Sequence, residues 1–434
     1  MAPSPKPLTL TSRATEQHPQ RERPSPEHEG KLERLISREV AIELVDHYVD
    51  KLHDRPHSLF HPATIRRKAR EGSIPKILLL SICSMGSRFS SSQSIRSLET
   101  QLLGESKKLL LSDLENICLE NVQSCILVAN VCAAHLNPTS EALFFSKLPG
   151  RELEVSVTED FVGIANGMAQ ILRLDCMDVE GTAIEREVRR RVWWTLVMAD
   201  RWSSSGLGLR RQIDELTTTI DLPMDEAVFA TFRNDDDKPA GSWSPGLWAH
   251  MITLVRLLGP IHDLNFKCAG GEMSEDDLQR ETEAISRQLE GWEQLLPAKA
   301  RLTEQNLEKH LAAGTAGAFV ALHLGYYHYS TLLYFQFLEK ERQAGTPVEI
   351  FVSKCKTHAS AYSNLLQRSR QYIQCRALYP TVCHMAVVSS SVLVHTLLFG
   401  DESELATARQ ELNANFEAIV ELQQYWPSSS TMVS

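Results

Sequence analysis

The spacing of apolar residues is the feature that most limits what this chain can fold into. From about residue 35 onward, apolar residues recur at intervals of three and four, and no sustained stretch alternates with a period of two. In the stretch 35–52, for example, Ile36, Val40, Leu44 and Tyr48 fall on one helical stripe. The sequence therefore predicts an all-α fold, a large body of many helices.

The same spacing, bounded by proline, glycine and polar clusters, gives the expected helices. Pro56 disfavours helix in the residue before it, and Gly314 and Gly317 are expected to break the longest apolar span. The helices are predicted over 35–52, 74–88, 94–111, 113–136, 141–146, 159–174, 183–202, 245–264, 274–295, 303–343, 347–371, 380–399 and 402–425.

Composition sets the expected domain organisation. Residues 1–30 contain six prolines among charged and small residues, which predicts a disordered lead without an apolar secretion signal. Residues 31–427 are expected to form one large helical body or two closely packed lobes, with an internal boundary near 230–244 at the acidic loop 234–243, and 428–434 form a tail. The net charge of −10 provides no global positive field for nucleic acid.

Two uncharged stretches raise the question of a membrane. Residues 317–338 and 377–400 contain no Asp, Glu, Lys or Arg and are long enough to cross a bilayer. Both carry histidines and hydroxyl side chains, so we interpret them as buried core helices and predict no membrane association.

The cysteines and histidines do not have the spacing of a metal site. Cys118, Cys125 and Cys132 recur every seven residues, which places successive sulfurs roughly 10 Å apart on a straight helix, too far to share one zinc ion. His323 and His328 are five residues apart and point to different faces of a helix. The nine cysteines are expected to be free thiols in a reducing compartment.

Other short motifs give no catalytic assignment. The triplet 235–237 is interpreted as a solvated acidic loop rather than a magnesium site, and Gly206 and Gly208 follow a helix, not the strand that a dinucleotide fingerprint requires. No catalytic, cofactor-binding or metal-binding residue is predicted. The basic cluster 66–70 is interpreted as an exposed helix end, with nuclear import or phosphate contact as alternatives.

The stretch 185–226 concentrates arginine and tryptophan in an unusual way. On a helix over 183–202, Glu187 reaches Arg190 and Arg191 at spacings of three and four. Trp193 and Trp194 are adjacent and cannot both face water, so other helices must surround most of this one. Because an unpaired buried charge is prohibitive, we expect a structural ion-pair network, with effector binding and nucleic-acid contact as alternatives.

This stretch resembles the regulatory middle homology region of fungal-specific transcription factors, whose pattern runs E-x-R-R-R-x-W-W, D-R, a small glycine-rich turn and L-P. Weaker similarity to the family's other helices extends over roughly 35–427. The residues that match the central pattern, and for which we expect structural roles, are Glu187, Arg189, Arg190, Arg191, Trp193, Trp194, Asp200, Arg201, Gly208, Leu222 and Pro223.

The sequence departs from the family's pattern in two ways. Arg210 stands where the family often has proline, so the turn loses rigidity or gains a contact of its own. These factors typically begin with a six-cysteine zinc cluster, whereas the first cysteine here is Cys83, so we expect that DNA-binding module to be absent or lost from the gene model.

The resemblance implies a nuclear transcriptional regulator with pathway-specific control of a fungal secondary-metabolite or catabolic gene cluster. Its expected partners are other transcription factors or coregulators and a small-molecule effector, with DNA reached through a partner or a missing N-terminal zinc cluster. Two alternatives are a helical enzyme or accessory protein of specialised metabolism, with a pocket near 322–335, and a protein-interaction scaffold.

Overall fold

A computed structural model describes residues 35–55, 57–135, 161–176, 180–207, 211–213, 218–233, 244–338 and 346–427. Within these ranges the secondary structure is helical, and the β-type pairing consists of two isolated bridges, His53 with His57 and Met224 with Pro245. The prediction of an all-α fold is confirmed. The predicted lead 1–30, the predicted helix 141–146, the acidic loop 234–243 and the tail 428–434 lie outside the described residues.

The N-terminal half supplies seven helices among the described residues, and α3 lies at their centre, in contact with α1, α5 and α6. The Ser37 hydroxyl accepts a hydrogen bond from the backbone N–H of Val40 and so caps α1. The helices are α1 Arg38–Lys51, α2 Pro62–Glu71, α3 Lys76–Ser87, α4 Gln93–Arg96, α5 Glu99–Ser112, α6 Leu119–Ala134 and α7 Phe161–Ile171.

Most of the remaining helices pack around α14, which is buried along almost its whole length and contacts α10, α12 and α15. One continuous hydrophobic core runs from Val45 to Trp426 and includes residues of both halves. The helices are α8 Ala183–Leu207, α9 Glu226–Ala230, α10 Leu247–Val255, α11 Leu258–Ala269, α12 Glu275–Leu295, α13 Glu304–Ala313, α14 Ala316–Tyr334, α15 Thr346–Ser369, α16 Thr381–Phe399 and α17 Glu402–Gln423.

The end of the described chain returns to the N-terminal helices. Trp426 is fully buried, its indole N–H donates to the carbonyl of Leu378 at 2.7 Å, and the Arg88 guanidinium lies 4.5 Å from its ring centre. Arg88 also donates to the carbonyl of Tyr425 at 2.8 Å. These contacts join the residues after α17 to the end of α3.

Several predicted helix limits were wrong for local reasons. The predicted helix 94–111 breaks at Ser97, whose hydroxyl bonds the carbonyl of Gln93. The predicted helix 245–264 breaks before α11 because Pro260 has no N–H to donate to the carbonyl of Arg256. α6 begins at Leu119 and not at 113, because the Asp113 carboxylate accepts from nearby asparagine amides in a turn.

Two helices were missed. α2 has proline at its first position and ends at Gly72, whose φ of 71° is left-handed, so its boundary signals are present in the sequence. It contains the basic cluster 66–70, which confirms the interpretation of that cluster as part of a helix end. The second missed helix, α9, has five residues.

The two uncharged stretches differ in their burial. α14 is buried on nearly every side, which confirms it as a core helix. Among the described residues α16 is long and apolar enough to cross a membrane by length and composition alone, and half of it is buried inside the protein. It packs against α15 and α17, and its buried Ser389 hydroxyl hydrogen-bonds Ser363 of α15 at 2.8 Å.

Candidate functional site

α8 carries most of the residues singled out from the sequence, and its start is fixed by a reciprocal cap. The Glu185 N–H donates to the Thr182 hydroxyl at 3.2 Å, and the Thr182 N–H donates to the Glu185 carboxylate at 2.8 Å. This arrangement satisfies two N–H groups at the helix start. The helix extends five residues beyond the predicted end at 202, to Leu207.

Glu187 organises the arginines of α8. Its carboxylate is fully buried and accepts from Arg191 Nε at 3.0 Å, while Arg190, four-fifths buried, donates to its other oxygen. The predicted contacts at spacings of three and four are confirmed. One carboxylate therefore faces two guanidinium groups, so further acceptors must come from outside the helix.

Those acceptors come from two distant segments. The Arg191 guanidinium is fully buried and donates to Asp54 Oδ1 at 3.2 Å and to Ser58 Oγ at 2.8 Å, in the turn between α1 and α2. It also donates to the backbone carbonyl of Met224 at 2.8 Å and lies 4.6 Å from the ring centre of Phe229. Arg191 thus joins three parts of the chain, and we call these contacts the Arg191 network.

Glu187 and Arg191 together hold the backbone of Met224. The N–H of Met224 donates to Glu187 Oε1 at 3.0 Å, and its carbonyl accepts from Arg191. Pro223, directly before it, is buried, and Leu222 is half-buried. The Leu-Pro pair of the pattern therefore leads the chain into the position where α8 binds it.

The charges of the Arg191 network shift the ionisation of the acids around it. Burial opposes ionisation of Asp54, but His53, Arg191 and the Ser58 hydroxyl together hold the pKa of its carboxyl well below its usual value. Burial raises the pKa of Glu226 to about 7, against the opposing effect of Arg191. Glu226 accepts from the N–H groups of Leu247 and Trp248 at 3.0 and 2.9 Å, at the start of α10.

The tryptophans are packing residues. Trp193 and Trp194 are 4% and 2% exposed, which confirms that neighbouring structure surrounds the helix. The Trp194 indole N–H donates to the backbone carbonyl of Asp221 at 2.9 Å, and Arg256 lies 5.2 Å from its ring centre. Trp194 therefore fixes the same 221–224 segment that the Arg191 network holds.

The Asp-Arg pair near the end of α8 holds another segment. The Asp200 carboxylate accepts from the N–H groups of Gln212 at 2.9 Å and Ile213 at 3.3 Å, and Arg201 donates to the carbonyl of Ile213 at 3.3 Å. Burial raises the pKa of Asp200, and the two backbone bonds oppose that rise. The pair anchors the chain after the predicted turn.

The structure does not bring all predicted residues into one site. Arg189 stands apart and donates to the backbone carbonyl of Leu172, at the end of α7. Gly208 and Arg210 lie outside the described residues, so the role of Arg210 stays a prediction.

The residues that sequence reasoning missed are Asp54, Ser58 and Glu226. Asp54 lies between the predicted helix 35–52 and Pro56, and in the structure it has a left-handed backbone with φ of 60°, an uncommon conformation for a residue other than glycine. The sequence did indicate that a further acid was needed, because arginines outnumber glutamates on one face of the helix and a buried arginine requires a carboxylate partner.

The polar groups of the Arg191 network bond one another and the backbone. Among the described residues, no group of three or more His, Cys, Asp or Glu side chains is placed to hold a metal ion. None of the nine cysteines, all of which are described, forms a disulfide, and each is at least half-buried. His323 donates to the carbonyl of Ala300 at 2.9 Å, and His328 lies beside His384.

Comparison with known proteins places these contacts in a family. The model of the Fungal specific transcription factor domain matches residues 45–294, more than half of the chain, and this span includes the whole Arg191 network. No solved structure matches the chain.

Curated relatives carry related names. The Zn(2)-C6 fungal-type transcription factor FTF1c of Fusarium oxysporum f. sp. lycopersici is 24% identical over 438 residues, covering 94% of this chain and 46% of that protein. FTF2 of the same organism is 24% identical over 94% of this chain and 40% of that protein. A transcriptional regulatory protein of Schizosaccharomyces pombe is 23% identical over 67% of this chain and 32% of that protein.

The chain thus spans less than half the length of these relatives. They are named as transcription factors or regulators and not as enzymes, which agrees with the prediction that this chain is not an enzyme. Both the resemblance found on residues 185–223 and the matched span support one assignment: the chain belongs to the fungal-specific transcription factor domain family.

Proposed function

We propose that this chain is the helical regulatory body of a nuclear transcription factor. The observation that carries the proposal is the match of the family model to the span in which Arg191 joins α8 to the α1–α2 turn and to Met224. A network whose donors and acceptors are satisfied internally supports a structural role for the family motif, with regulation carried by other surfaces of the body.

DNA targeting, in this proposal, comes from outside the described helices. The net charge of −10 disfavours phosphate binding by the chain as a whole. The relatives named Zn(2)-C6 factors are more than twice as long as the part that this chain matches, so a zinc cluster outside this sequence or a partner factor is the proposed source. Coregulators and an effector complete the proposed set of partners.

The regulated genes are proposed to form one fungal pathway, either a secondary-metabolite or a catabolic gene cluster. The test is a deletion strain complemented with the unaltered chain or an empty vector, with transcripts and metabolites measured in parallel. Coordinated loss of a set of transcripts, restored by the chain, is expected. Loss of a metabolite with unchanged transcripts would overturn the regulatory role and favour an enzyme.

The partner requirement has its own test. The purified chain is titrated with promoter fragments of the affected genes at about 0.15 M salt, where counterion release is already weakened. We expect no sequence-specific complex without a second factor. Tight, specific binding by the chain alone would refute this part of the proposal.

A further inference from the structure

A cavity of about 840 Å³ lies outside the Arg191 network, where the ends of α1, α2, α3, α5 and α6 meet. Its lining comes from the start of α1, the 68–79 segment and the 109–121 segment. Sites for small organic ligands usually have volumes of about 300–1,000 Å³. The cavity is therefore of the right size for such a ligand.

Part of the cavity lining is apolar, beside serine, asparagine and charged side chains. Ile36, Ala41, Ala69 and Ile74 line it and are at most 8% exposed, and Leu109 adds a further apolar side chain. These residues can bury a hydrocarbon or aromatic body and offer it no hydrogen-bonding partner. The hydroxyl of Ser37, also in the lining, is already used to cap α1.

Three basic side chains belong to the lining of the cavity. Arg38, Lys68 and Lys76 line it, Arg38 donates to the backbone carbonyl of Arg70, and Lys68 has no carboxylate within ion-pair distance in the described ranges. The first N–H groups of α3 also lie there, and no side chain caps them.

Two acids also belong to the lining. The Asp113 carboxylate accepts from the side-chain amides of Asn116 and Asn121, at 3.0 and 2.9 Å, and is therefore already used in the turn before α6. Glu120 is the second acid in the lining. Arg38 and Lys68 have no carboxylate partner in the described ranges, so their charges lie beside the apolar part of the lining without an internal counter-charge.

We propose that this cavity binds an amphipathic organic anion, with an apolar body against Ile36 and Ile74 and one carboxylate, sulfonate or phosphate group beside Arg38 and Lys68. The regulatory meaning of this site, as the effector site of the transcription factor, rests on the proposed function. Binding itself does not, because it is measured on the purified full chain without DNA.

The test compares two fluorescent probes that share one aromatic body. 8-Anilinonaphthalene-1-sulfonate carries a sulfonate, and N-phenyl-1-naphthylamine lacks it. We expect the full chain to bind the sulfonate probe more tightly than the neutral one. Lys68→Gln and Arg38→Gln should each weaken binding of the sulfonate probe about three- to ten-fold and leave binding of the neutral probe unchanged, since each removes one charged contact that solvent can reach. Lys309→Gln, at an exposed position on α13, is the matched control and should change neither affinity.

A second measurement locates the probe. Cys118 lines the cavity and is half-buried, while Cys268 is half-buried on α11, outside the lining. The sulfonate probe should slow alkylation of Cys118 by N-ethylmaleimide and leave Cys268 unaffected, as followed by peptide mass spectrometry. Because this measurement involves no promoter, its outcome is independent of the transcript test, and failure of ligand binding can be distinguished from failure of the regulatory role.

Three results would overturn the assignment. The first is failure of the full chain to bind the sulfonate probe, as expected if another part of the chain fills the cavity. The second is equal affinity in the unaltered chain and in folded Lys68→Gln and Arg38→Gln variants. The third is binding without protection of Cys118, which would place the probe on another apolar surface.

Discussion

Replacement of Arg191 by methionine tests whether the Arg191 network holds α8 in place. Methionine keeps a long unbranched side chain but removes the charge and every N–H donor. Glu187 loses its Nε partner, Asp54 and Ser58 lose the bonds to α8, and the carbonyl of Met224 loses a donor. Each of these groups remains in a buried or half-buried place.

The size of the effect follows from that burial. Removing one partner of a fully buried ion pair costs about 3–5 kcal/mol, because the other charge stays uncompensated. This is a large share of the roughly 5–15 kcal/mol by which a typical domain is stable. Arg191→Lys keeps the charge but cannot reach acceptors on three segments at once, so a loss of about 1–3 kcal/mol is expected.

The loss should depend on pH. In the unaltered protein the pKa of Asp54 is lowered, so its carboxylate stabilises the fold above the unfolded pKa and this contribution is lost as pH falls. Without Arg191 one of the charges that lowers this pKa is gone, and burial raises it. Arg191 also opposes the raised pKa of Glu226, which is about 7 in the unaltered protein, so without Arg191 this buried acid binds its proton more readily. The deficit of the variant should therefore narrow as pH falls from 7.5 to 5.

The assay is urea unfolding followed by tryptophan fluorescence, to which Trp193 and Trp194 on the same helix contribute. Arg190→Met is the matched control, because Arg190 is 15% exposed and contacts only Glu187 within the Arg191 network. It should cost less than Arg191→Met. An Arg191→Met protein as stable as the unaltered one at pH 7.5, or a deficit that stays constant with pH, would refute the reasoning.

Other substitutions test the packing and ionisation of the fold. Trp194→Ala should lower stability by about 3–5 kcal/mol, and an unchanged melting temperature would contradict its assignment to the core. Gly86→Ala should strongly destabilise the protein, because the new Cβ would lie 2.0 Å from the carbonyl oxygen of Leu44. Gly104→Ala places its Cβ where no atom lies within 4 Å and should stabilise α5 by about 0.5–1 kcal/mol. The melting temperatures of the two variants should therefore move in opposite directions. Because Glu226 has a folded pKa of about 7, the unaltered protein should lose stability as pH rises from about 4.3 to 7, by on the order of 3 kcal/mol, and Glu226→Gln should flatten that slope in urea titrations.

The local part of the site was predictable from the sequence. The contacts of Glu187 with Arg190 and Arg191 follow from the helical repeat alone, since residues three and four apart share a face. The burial of Trp193 and Trp194 followed from their adjacency. These predictions concern contacts and burial along one helix, and the predicted start of that helix at Ala183 was also correct.

The partners from distant segments were not predictable in the same way. Asp54 lies 137 residues from Arg191 in the chain, and the Met224 carbonyl that accepts from Arg191 lies 33 residues away. No periodicity links such positions, because their proximity depends on how α1, α8 and the 221–224 segment pack. The sequence could only indicate that a further acceptor was required.

The Arg191 network also limits where recognition can occur. Arg191 donates to four acceptors on three segments, and both oxygens of Glu187 accept hydrogen bonds, so an anion bound there would have to displace contacts that hold the fold. An anion beside Lys68 and Arg38 would displace fewer contacts, because Lys68 has no ion pair in the described ranges and Arg38 bonds a carbonyl at a helix end. Ligand exchange at the cavity therefore breaks few internal contacts, whereas exchange at Arg191 would cost stability. The cavity is therefore the more suitable site for an effector that binds reversibly. Variants of Lys68 should alter ligand binding without lowering the melting temperature.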